Sequence, residues 1–88
     1  MLISEFQRLI AEKYGQRDRE RGTAAAFLWF IEEVGELATA LARDESYAEK
    51  QDEFADVLAW LCTLANINGV DLEKACEKYT GDIVTGFK

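Results

Sequence analysis

Five carboxylates in two groups are the residues of this chain best suited to chemistry: Glu32, Glu33 and Glu36, then Glu53 and Asp56 after a gap of sixteen residues. The chain has no histidine, which removes His-based triads, zinc fingers and the Glu-x-x-His pairs of di-iron bundles. Catalysis would have to run on carboxylates, lysines, hydroxyls or a bound metal. On a helix turning about 100° per residue, Trp29, Glu33 and Glu36 all fall within about 100° of Glu32, on one side of the helix. Phe27, Phe30, Ile31, Val34, Leu37 and Leu41 form a broad core-facing stripe centred on the far side from the acids. Taken alone, the first group has the pattern of a solvated acidic face.

The second group changes that picture. Asp56, Trp60, Leu64 and Ile67 all lie within about 60° of Glu53 around the helix, so the acids continue an apolar stripe. Carboxylates aimed at another element cost several kcal/mol or take up protons unless something neutralises them. Lys50 or another basic group offers one answer. A divalent cation accounts better for four or five converging acids. Oxygen ligands without His or Cys suit Mg²⁺, with Mn²⁺ as a substitute, and Mg²⁺ commonly completes its shell with water and substrate phosphate. Four carboxylates and a nucleoside triphosphate, each about −4, leave about −4 after two Mg²⁺ ions. A third ion, or Lys74, Lys78, Arg43 and the Arg17 to Arg21 segment, would offset the remainder.

The elements that position these groups read as helices throughout, because the chain has no proline and its Gly and small polar residues separate long 3.6-period segments. Helix 1 is expected from about Ile3 to Tyr14, with Gly15 just past its end. A polar loop, GQRDRERG, follows, and Thr23 caps helix 2 over about Ala24 to Ala42. Ser46-x-x-Glu49 has capping-box spacing, so helix 3 should start at Tyr47 and run to about Ile67. Asn68-Gly69 ends it, and Asp71 caps a shorter helix 4 reaching Tyr79 before Gly81. The tail DIVTGFK carries no assignment. The expected architecture is all-α: a compact antiparallel bundle of about four helices in one domain spanning 1–88, completed by oligomerisation.

With 88 residues, a domain of this size buries only about 60% of its unfolded surface. Its helices carry apolar residues on more than one side, which points to a homodimer or tetramer. A net charge of −7 disfavours duplex nucleic acid as partner. Hydrophobic residues at 49% and charged residues at 31% are the balance of a soluble globular chain. The longest uncharged run, Val57 to Val70, is too short to span a bilayer. No secretory signal is visible, and Cys62 and Cys76 read as reduced core thiols, which suggests the cytoplasm.

The string Glu32-Glu33-Val34-Gly35-Glu36, followed by Glu53-Phe54-Ala55-Asp56, resembles the EExxE…ExxD signature of the MazG-like all-α nucleotide pyrophosphohydrolases. The likeness runs from Trp29 through EFADVLAWL and NINGVDLEKACEKY, covering roughly residues 27–79. It implies a metal-dependent hydrolase that cuts a nucleoside triphosphate between the α and β phosphates, releasing monophosphate and pyrophosphate. By position, Glu33 and Glu36 match the family's first metal-ligand pair, and Glu53 and Asp56 the second. Glu32 is a further catalytic candidate that completes the metal shell, holds a ligand or orients the attacking water. Dimers or tetramers with sites near subunit boundaries are implied, as is a role in nucleotide-pool house-cleaning.

Several other residues carry two readings. Trp29 and Trp60 either stack on a base or belong to the core, and Lys78 either contacts phosphate or complements a helix end. Asn66 and Asn68 are candidates for base or sugar contact, although Asn68 also suits a helix end. Gly35 costs about 0.8–1 kcal/mol in a helix interior, repaid either by tight helix packing or by clearance for metal and phosphate. The arginine segment is a solvated turn or a flap over phosphates. Against the enzyme stand a metal-dependent phosphatase and a non-catalytic helical interaction module whose acids merely solvate its surface.

Overall fold

Three long helices dominate the computed structural model, which describes residues 1–80. They are α1 (Ile3–Arg21), α2 (Thr23–Ala42) and α3 (Tyr47–Ile67), followed by the short α4 (Leu72–Ala75) and a 3₁₀ turn, Cys76–Tyr79. The expected antiparallel all-α bundle is therefore observed. Gly81 and the tail after it lie outside the described residues. No described helix is long and apolar enough to cross a membrane.

The first helix is longer than its sequence suggests. Gly15 does not end it; it is a buried position inside α1, which continues through the expected polar loop to Arg21. One glycine costs a helix only about 1 kcal/mol, and the Gln, Arg and Glu residues that follow are good helix formers. Arg19 and Arg21 sit in the last turn, where cations meet the negative end of the helix dipole. The chain then turns on one residue, Gly22, at φ 84°, a conformation that favours glycine. Thr23 is consequently the first residue of α2 rather than its cap. Its hydroxyl instead accepts from Asn68 Nδ2 at 3.2 Å.

The start of α3 follows the capping prediction, with the Ser46 hydroxyl accepting from the Glu49 N–H at 3.2 Å. Gly69, at φ 69°, ends it. Asp71 then accepts from the Lys74 N–H at 3.2 Å, starting a helix that tightens into the 3₁₀ turn after Ala75. Helix α3 is central, packed against both α2 and α1. Gln7 ties α1 to the end of α3, donating to Asn66 Oδ1 at 3.0 Å and to the Val70 carbonyl at 2.7 Å. It also accepts from the Leu72 N–H at 3.0 Å. Asn66 and Asn68 are thus engaged in holding elements together.

Burial departs from expectation on α2. Phe27, Ile31, Val34 and Leu41, predicted to face the core, are 49%, 50%, 37% and 48% exposed. Phe54, Leu58 and Leu61 of α3 are also exposed. The helical turn places these two rows on one face of the α2–α3 pair. Cys62 is buried as expected, whereas Cys76 is exposed on the 3₁₀ turn and is no core thiol.

Candidate metal centre

The seam between α2 and α3 brings the acids together. On α2 the inward row is Ala26, Phe30, Glu33, Leu37 and Ala40, spaced alternately four and three residues apart, with both alanines buried. On α3 the corresponding row is Lys50, Glu53, Val57, Trp60 and Leu64, all half-buried. These are the spacings at which helix surfaces interlock. Glu33 therefore stands in the apolar seam opposite Glu53, not on a solvated face. The α2 stripe explains the difference: its centre is rotated away from α3, leaving Phe27 and Ile31 outside and drawing Glu33 in.

Glu33, Glu53 and Asp56 each place a carboxylate oxygen so that all three lie within 4.8 Å of one another. Glu33 Oε2 and Glu53 Oε2 are buried and have no hydrogen-bond partner among the described residues. Lys50 does not neutralise them, because its ammonium bonds to Asp44. Burial, a carboxyl hydrogen bond with Glu36 and the charges of Glu36, Asp56 and Glu53 push the Glu33 pKa up to about 7. The Glu53 pKa is also raised, first by desolvation and then by Glu36, Asp56, Glu45 and Asp52. Converging oxygen donors with partnerless lone pairs fit a hard divalent cation, which supplies the missing positive charge.

Glu36 lies outside the three-residue group but close enough to act electrostatically on both Glu33 and Glu53. With Glu32, Gly35, Thr39, Glu45 and Glu53 it lines an open cavity of about 490 Å³. A Cβ added to Gly35 would meet nothing within 4 Å, so tight packing within this chain is not the reason for the glycine. It stands on an open wall beside the acids.

Trp29 and Trp60 stack on one another, with ring centroids 6.1 Å apart and planes 13° from parallel. Trp29 is 47% exposed. Lys78 is not brought to this group: it stands on the 3₁₀ turn, its ammonium 5.0 Å from the Tyr79 ring centroid. The arginine segment is helical, and its Arg21 guanidinium lies 5.1 Å from the centre of the Trp60 ring. Sequence reasoning missed Asp18, which is only 3% exposed. Extending helix 1 through Gly15 would have revealed it, since Ile10, Tyr14, Asp18 and Arg21 then share one side.

The family model of the MazG nucleotide pyrophosphohydrolase domain matches residues 21–83. The chain belongs to the MazG nucleotide pyrophosphohydrolase family. The match spans both acidic groups and all of α2 and α3. MazG domains act on nucleotide anhydrides and typically use a divalent metal, and the Glu33, Glu53 and Asp56 oxygens give this MazG chain a place to hold one. No curated protein matches the chain.

Proposed function

We propose that the chain hydrolyses nucleoside triphosphates between the α and β phosphates in a Mg²⁺-dependent reaction, giving nucleoside monophosphate and pyrophosphate. The observation that carries this is the pair of buried, partnerless oxygens, Glu33 Oε2 and Glu53 Oε2, beside an open cavity. Glu33, Glu53 and Asp56, with Glu36 alongside, would hold the cation; Mg²⁺ or Mn²⁺ bound there would supply Lewis-acid stabilisation of phosphoryl charge.

The chain's own side chains do the rest. Glu32 lines the cavity without joining the three-carboxylate group, so its carboxylate is placed to orient the attacking water and accept its proton. Water adds to the α phosphorus, the bond from that phosphorus to the bridging oxygen breaks, and pyrophosphate leaves with the electron pair. No covalent enzyme intermediate is needed. Gly35 keeps the cavity wall free of a side chain, and the stacked Trp29 and Trp60, one helical turn from Glu33 and Asp56, would border the nucleoside. Lys78 retains a phosphate-contact role only if the 3₁₀ turn approaches a bound nucleotide. The cellular role would be nucleotide-pool house-cleaning in the cytoplasm, by a single 1–88 domain.

A second copy would cover the exposed face of Phe27, Ile31, Val34, Phe54, Leu58 and Leu61, since contiguous apolar patches of this kind mark association surfaces. Sedimentation should then give at least twice the chain mass of 10.0 kDa, and Leu58→Glu should return it to the monomer.

The deciding experiment is incubation with a panel of nucleoside triphosphates and Mg²⁺, with the products identified. Pyrophosphate plus monophosphate is the expected result. Released inorganic phosphate would indicate a phosphatase instead. No turnover, together with no effect of Mg²⁺ on melting, would leave a helical interaction module.

A further inference from the structure

One turn past Asp56 on α3, a second cavity of about 220 Å³ opens between α1 and α3. It is smaller than the roughly 300–1,000 Å³ of sites for drug-sized ligands, and suits one planar ring system. Trp60 and Tyr14 supply aromatic wall, and Asp18, Arg21 and Thr63 supply polar groups. Trp60 stacks on Trp29, which precedes Glu33 by one turn, so the tryptophan pair links this cavity to the acids. Four helical residues advance about 6 Å, the scale of the sugar that separates a base from its α phosphate.

Asp18 is the unusual group. A carboxylate only 3% exposed is costly unless hydrogen-bonded and paired. Its Oδ2 accepts from the Thr63 hydroxyl at 2.9 Å, and its Oδ1 lies 3.6 Å from Arg21 Nη1. About four lone-pair sites are available on an ionised carboxylate, so these contacts leave acceptor capacity on a residue that lines the cavity. Arg21 brings a fork of N–H donors to the same wall. The slot therefore presents an aromatic wall from Tyr14 and from Trp60, whose ring the Arg21 guanidinium overlies at 5.1 Å, with an acceptor and a donor side by side.

Resting on the proposed nucleotide hydrolysis, we infer that this cavity is the base subsite and that Asp18 makes it select bases carrying an exocyclic amino group. An ionised carboxylate accepts an amino N–H and repels a carbonyl oxygen in the same place, while Arg21 donates to the adjacent ring nitrogen or carbonyl. Cytosine is thus favoured over uracil, and adenine over hypoxanthine. Asp18 acts here as a specificity determinant and has no part in bond cleavage.

Two substrate pairs differing at one amino group test this: CTP against UTP, and ATP against ITP. The amino member should lead by about 10- to 100-fold in kcat/KM, the range of a hydrogen bond to a charged group. In Asp18→Asn, whose amide also donates, both ratios should fall to within about twofold of unity or invert. Because each ratio is taken within one preparation, partial unfolding of the variant does not alter it. Wild-type ratios near unity, or ratios unchanged in Asp18→Asn, would overturn the inference while leaving the hydrolysis intact. Should no triphosphate be turned over, quenching of tryptophan fluorescence by CMP and UMP replaces turnover. Preferential quenching by CMP supports the subsite, and equal or absent quenching rejects it.

Discussion

Among the described residues two places take carboxylates out of water, and they do so on opposite terms. At the α1–α3 contact, Asp18 is met by the Thr63 hydroxyl and the Arg21 guanidinium. At the α2–α3 seam, Glu33 Oε2 and Glu53 Oε2 are equally dry and meet no donor among the described residues. A buried carboxylate needs compensating partners. Where the chain supplies them, the acid fastens two helices. Where it withholds them, the fold retains a repulsive cluster that a bound cation would relieve, whereas Asp18 is already compensated and needs no cation.

The largest consequence concerns activity. Glu33→Gln or Glu53→Gln removes a negative oxygen donor from the cluster and should lower kcat by more than about 100-fold, beyond the 10–100-fold typical of groups that only orient a metal ligand. Measured with Mg²⁺ on any triphosphate that the wild type accepts, a loss of less than tenfold would dissolve the contrast, because the seam carboxylates would then not hold a catalytic cation. The same variants should melt higher than wild type without metal, since each removes a buried like charge.

Next in size is the response to metal. A cation that binds only the folded chain at 100 times its Kd adds about 2.7 kcal/mol, which for a domain of this size raises Tm by about 10–20 °C. Asp18→Asn should keep that rise and Glu53→Gln should lose it. The pH dependence sharpens the distinction. The Glu33 pKa is raised from 4.5 to about 7 on folding, so its contribution to stability is fully present below 4.5 and lost as pH rises through 7. Metal-free protein should therefore melt lower at pH 8 than at pH 6, and Glu33→Gln should flatten that slope. A metal-free Tm that climbs over this interval would show that a positive group already serves Glu33.

Asp18→Ala should cost about 1–3 kcal/mol of stability with or without Mg²⁺, because it strands the Thr63 hydroxyl and the Arg21 charge. Chemical denaturation in both conditions measures it. A cost that appears only with Mg²⁺ would tie Asp18 to the metal centre and erase the difference between the two places.

How far the residues themselves announced these places follows from which forces decide them. Helix α3 is readable almost to the residue, because Ser46 and Gly69 act locally at its ends and Glu53 and Asp56 visibly continue the Trp60–Leu64 stripe. The acidic motif likewise survives as local spacing. The facing of α2 was not readable: its apolar residues wrap more than one side, and only packing against α3 shows that Glu33 is inward and Phe27 outward. Gly15 misled for a related reason, since a single glycine is a weak local signal that the contact of α1 with α3 overrides. Asp18 was lost with it, being meaningful only once α1 extends that far.

Gly35 offers the finest test of the acidic seam. In a helix interior, glycine is about 0.8–1 kcal/mol worse than alanine, and a Cβ here meets nothing within 4 Å. Gly35→Ala should therefore stabilise the metal-free chain by up to about 1 kcal/mol, seen as a small rise in Tm. The added methyl projects from the wall shared with Glu32 and Glu36, where the cation and polyphosphate would sit, so KM for the triphosphate should rise even as the fold gains. A variant that melts lower would instead place Gly35 against a second copy of the chain. Only loss of substrate affinity alongside gained stability shows that the glycine is kept for the ligand and not for the helix.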